Sequence, residues 1–188
     1  LAQIRQMNEL ELFDIHSRLC HCSHTYSKAL TENGPARSEN AWAFGLAQLF
    51  TSVSPAVTRE FEVEYMKRVF PHFGAVYYGC CDRLDDRLDV IEELPRVRKI
   101  SCSPWSDRER FAERLNSRYV MSNKPNPAFL AGNTFDEDVV RADIARTVQA
   151  ARAHGVRLEF ILKDVSTVHH DPSRLNKWTR IAREEVCG

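Results

Sequence analysis

Reactive and polar side chains gather directly after four short apolar runs. Cys80, Cys81 and Asp82 follow AVYYG (75–79), and Ser103 and Trp105 follow RKISC (98–102). The run YVMS (119–122) ends in Ser122 and leads to Lys124 and Asn126, while Lys163 and Asp164 follow LEFIL (158–162). Adjacent thiols have three common uses: metal ligands, a nucleophile, or small apolar fillers. Strand alternation sends Tyr78 and Cys80 to one face and Gly79 and Cys81 to the other until the strand ends. Cys80 is then the candidate for a site at the strand end, and Cys81 the candidate for packing. Lys124, Asn126 and Lys163 are suited to an anionic substrate or cofactor tail. Lys163 is equally suited to an ion pair with Asp164, and Pro125-Asn126-Pro127 is a rigid turn in either case.

Placing these groups requires alternating strands and helices. Ser54 followed by Pro55 has the chemistry of a helix start, predicting a helix to about Phe70. Leu84, Leu88 and Ile91 share a helical face before Pro95. Ser106-Asp-Arg-Glu109 and Thr134-Phe-Asp-Glu137 have capping-box spacing, heading helices that carry Phe111 and Leu115, and then Val140, Ile144, Val148 and Ala151 up to Gly155. Asp171-Pro172 opens a last helix with Leu175, Trp178 and Ala182 facing inward. The strands are predicted at 75–79, 98–102, 119–122 and 158–162, parallel to one another through short right-handed crossovers.

Residues 1–53 read as an irregular segment: a short helix over 1–12, a long polar loop, then an apolar stretch with Trp42, Phe44, Leu46 and Phe50. His16, Cys20, His21, Cys22 and His24 have metal-ligand chemistry but lack the second spaced pair of a structural zinc site, which favours a solvated loop. His169 and His170 are further candidates for ligand or acid–base roles.

The 188 residues are 43% hydrophobic and 28% charged, with 26 basic against 26 acidic side chains, so composition makes no case for nucleic acid or an anionic membrane. No apolar run is long enough to span a bilayer, and six cysteines, two adjacent, suit a reducing cytoplasmic setting. Such βα alternation fits a small doubly wound domain or half of an eight-stranded barrel. Polar groups after every strand favour the barrel, whose active sites lie at the carboxyl ends of the strands.

The series YYGCC (77–81), SPW (103–105), KPNP (124–127) and ILKD (161–164), from about Trp42 onward, resembles the uroporphyrinogen decarboxylase-like superfamily, in particular its methyltransferase branch. The resemblance implies a (β/α)8 TIM barrel of which this chain holds the C-terminal half, about four strands. It implies a fragment whose missing strands complete the site, and which is inactive alone. Related enzymes bind zinc through a His-x-Cys at the first of these strand ends and a cysteine at the last. The zinc presents a substrate thiolate to a methyl group on a corrinoid. Here Cys80 matches the cysteine, Tyr78 stands where the histidine would be, and Asp164 lies nearest the second cysteine. The resemblance therefore makes Cys80, Cys81 and Asp164 the metal candidates, Tyr78 and Asp164 the catalytic ones, and Lys124, Asn126, Lys163 and Trp105 the substrate contacts. The implied cofactors are zinc and a corrinoid carried by a partner protein, and the substrate is a small molecule. Two alternatives stay open: a uroporphyrinogen decarboxylase-type reaction, and a non-catalytic corrinoid- or tetrapyrrole-binding module.

Overall fold

The computed structural model describes residues 38–188. The helix expected over 1–12 and the His16–His24 cluster lie outside the described residues. Five strands are hydrogen-bonded in the order β1-β2-β3-β4-β5, the same order as in the sequence. They are β1 (Trp42–Leu46), β2 (Ala75–Gly79), β3 (Val97–Cys102), β4 (Val120–Asn123) and β5 (Arg157–Phe160). Pairing is parallel, with Trp42 opposite Ala75 in β1–β2 and Val120 opposite Arg157 in β4–β5. The expectation of four strands is corrected to five. In β1, burial alternates through Ala43 and Gly45 while the larger Trp42 and Phe44 stay half-buried. Its aromatic residues look like core packing in sequence, but they lie on a strand face.

The described residues divide into two compact units, 38–79 with 86–99, and 80–85 with 100–188. In the first, Ser54 caps α1 (Pro55–Thr58) by accepting from the Val57 amide at 3.3 Å. The helical run continues through a π-helical segment (Arg59–Val63) into α2 (Glu64–Val69). After β2 only Leu88–Ile91 (α3) is helical, although Leu84, Leu88 and Ile91 are all buried as their spacing predicts.

In the second unit, α4 (Arg108–Leu115) buries Phe111 and Leu115. Its cap is Asp107, accepting from the Arg110 amide, one residue later than the capping box suggests. Ser106 instead lies buried against the Ser103 hydroxyl. The short α5 (Ala128–Ala131) precedes α6 (Glu137–Ala153), which is capped by Asp136 rather than Thr134. Asp136 Oδ1 accepts from the amides of both Asp138 and Val139. Helix α6 ends before Gly155, whose φ of +64° favours the residue without a Cβ. Helix α7 (Ser173–Cys187) buries Trp178, Ile181 and Ala182 against α6 and the inner residues of β5. Leu175, expected inward, is exposed, and Arg174 takes the buried place. Arg174 donates to the carbonyls of Leu130, Gly132 and Asn133, fixing the loop after α5.

Candidate functional site

The second unit gathers Cys80, Cys81, Lys124, Lys163 and Asp164 into one electrostatic neighbourhood. Ser101, on β3, donates its hydroxyl to the Cys80 carbonyl at 2.6 Å. Lys124, one residue past β4, donates its ammonium to the same oxygen, also at 2.6 Å. Two donors on one carbonyl lock the chain where it turns away from β2. The Lys124 amide bonds the Cys102 carbonyl, so its backbone is fixed as well.

Cys80 is fully buried, and its sulfur folds back to accept from the Asp82 amide at 3.3 Å. Burial pushes its thiol above the usual range. Cys81 is half-buried, and its sulfur accepts from the Lys163 ammonium at 2.9 Å. The alternation argument thus ends with the strand: of the two thiols, Cys81 is the one that meets a charged side chain. Asp164 is exposed and takes φ +59°, a left-handed turn that aspartate tolerates and that breaks the extended course after β5.

Lys124 is buried, and removal from water, together with the positive charge of Lys163, lowers its pKa to about 8. Lys163 is half-buried and shifts the other way. Burial pulls it down, but the hydrogen bond to Cys81 and the charges of Cys81, Asp164 and Cys80 outweigh burial and raise it. The corner therefore holds one firmly cationic lysine beside one that titrates near neutrality.

The other candidates have separate roles. Asn126 lies in the turn before α5, its Oδ1 accepting from the Ala128 amide and its carbonyl from the Phe129 amide. Trp105 is 61% exposed, so its ring is available to solvent beside the buried Ser103. His169 and His170 are exposed neighbours in left-handed conformation.

Tyr78 belongs to the first unit and is completely buried there. Its hydroxyl hydrogen-bonds Glu62 Oε2 of the π-helical segment at 2.5 Å. Burial, opposed by the Tyr78 bond and the Arg87 charge, raises Glu62 to about 7. Arg87 is itself buried, donating to the carbonyls of Phe50 and Val53 and to the Thr58 hydroxyl. Sequence periodicity gives no sign of this Glu62–Tyr78–Arg87 group, because Glu62 lies among other helical acids. Ser101 was missed for a similar reason, since a serine inside a strand has no distinguishing pattern.

Zinc requires three or four donors of the Cys, His or carboxylate type. Among the described residues, no three such side chains come together closely enough to hold a metal. Here the Cys80 sulfur accepts from the Asp82 amide and the Cys81 sulfur from the Lys163 ammonium. Neither known protein families nor curated proteins give a match to this chain.

Proposed function

We propose that Cys80 and Cys81, with the carboxyl ends of β4 and β5, form a small-molecule site in which Lys124 and Lys163 hold an anionic group. The fold reading is a (β/α)8 barrel of the uroporphyrinogen decarboxylase-like kind, with these five strands as its C-terminal part. Strand order supports it: a doubly wound sheet reverses order at a switch point, whereas this order runs consecutively, as in a barrel. The activity reading is methyl transfer between a corrinoid and a thiol or similar acceptor, which rests on the YYGCC, SPW, KPNP and ILKD resemblance. The observation that carries the site is the convergence of two lysines, from separate strand ends, on the Cys80–Cys81 corner.

In this reading Lys163 attracts and orients the anionic end of the acceptor. Lys124, with a pKa of about 8, supplies a second positive charge below that pH or takes up a proton as the acceptor thiol loses one. A corrinoid would supply the methyl group when bound. A second reading, a non-catalytic binding module, is favoured by Tyr78. Its hydroxyl is committed to Glu62, so the position where the resembled methyltransferases place a histidine offers no ligand.

Protein from the whole reading frame, mixed with methylcobalamin and either mercaptoacetate or neutral 2-mercaptoethanol, separates these readings. Methyl transfer predicts faster loss of the methylcobalamin absorbance with mercaptoacetate, and Lys163→Met narrows that preference. Rates equal to the protein-free rate with both thiols would sink methyl transfer. Saturable methylcobalamin binding without turnover would leave the binding module.

A further inference from the structure

We propose that Cys81 is a covalent acceptor for small anionic soft electrophiles, with Lys163 and Lys124 drawing the anion to its sulfur. The inference rests on the reading that Lys124 and Lys163 attract an anion, and it does not depend on methyl transfer. Four observations carry it.

Cys81 is half-buried, while Cys80 and Cys102 are fully buried, so Cys81 is the thiol of the strand ends that solvent reaches. Its sulfur is 2.9 Å from the Lys163 ammonium, which attracts negative charge on whatever approaches it. Lys124 adds a second cationic group in the same neighbourhood, opposed by the carboxylate of Asp164. Finally, the Cys80 carbonyl is held by Ser101 and Lys124, so the backbone that presents Cys81 is fixed. The other thiols near this corner are not poised in this way. Cys80 is turned inward, and burial pushes Cys102 up to about 12.

The step is a displacement at a saturated carbon. The sulfur lone pair forms an S–C bond, the bond from carbon to its leaving group breaks, and the leaving group departs with the electron pair. The thiol proton goes to solvent. No oxidant or reductant is needed.

Iodoacetate and iodoacetamide test this directly, because they differ chiefly in charge and both release iodide. The protein is labelled with an equal mixture of the two, and each cysteine is read by peptide mass spectrometry. Exposed Cys187 serves as the internal reference. The iodoacetate-to-iodoacetamide ratio at Cys81 is expected to exceed that at Cys187 by about fivefold or more at low salt, and to fall as salt is added. Lys163→Met should remove the preference and Lys163→Arg should keep it. The wild-type comparison alone decides the matter if a variant misfolds. Labelling of Cys81 as slow as that of Cys80 and Cys102, or the same ratio at Cys81 and Cys187, would overturn the proposal.

Discussion

Lys124 and Glu62 are buried ionisable residues shifted towards neutrality, and each makes a pH prediction with a definite sign. Lys124 carries its charge below a pKa of about 8, so the corner attracts anions most strongly below that pH. Binding of a carboxylate probe should weaken as pH rises through about 8, and Lys124→Arg should shift that loss to higher pH; binding isotherms at several pH values measure it. Glu62 has a folded pKa of about 7 against 4.5. The folded state therefore binds its proton more tightly than the unfolded state. Stability from this group is full below pH 4.5 and is lost between there and about 7, by roughly 3 kcal/mol. Glu62→Gln retains an acceptor for the Tyr78 hydroxyl and cannot ionise. Urea unfolding from pH 5 to 8 should show a falling stability in the wild type and a flatter profile in the variant.

At the scale of elements, the strands and the inward faces of most helices were legible because hydrophobic period is a strong signal. Val140, Ile144, Val148 and Ala151 are buried on α6 as their spacing requires. The caps were legible only in kind, because several residues in each stretch could accept an amide. Asp107 and Asp136 took the roles suggested for Ser106 and Thr134. Asp136→Ala should cost about 1 kcal/mol in thermal or urea unfolding, since two amides lose their acceptor. Thr134→Ala should stay within about 0.5 kcal/mol. β1 was misread because its two aromatic residues, Trp42 and Phe44, do not fit a buried strand. They stay half-buried, with Phe44 packed edge-on against Tyr77 and Lys99 over the Trp42 and Tyr77 rings. Gly45 is needed there: a Cβ at that position would lie 2.6 Å from the Tyr78 ring. The burial of Arg174 has no signal in the sequence, because arginine is usually at the surface. Arg174→Met strips three carbonyls of their donor, and unfolding measurements should show a loss of roughly 2–4 kcal/mol.

For the whole molecule, βα alternation was readable from sequence, and the consecutive order of the five strands is what gives the barrel reading its physical support. Among the described residues, no helix is long and apolar enough to cross a membrane. The site was readable as a set of strand-end residues but not as an arrangement. The pairing of Cys81 with Lys163 joins positions 82 residues apart, and no local pattern encodes it. The central claim is that this corner holds an anionic small molecule through its lysines. Titrating uroporphyrin, which carries carboxylates, against its own fluorescence measures that directly. Saturable binding weakened about tenfold or more by Lys163→Glu is predicted, and equal affinity in the wild type and the variant would contradict the account.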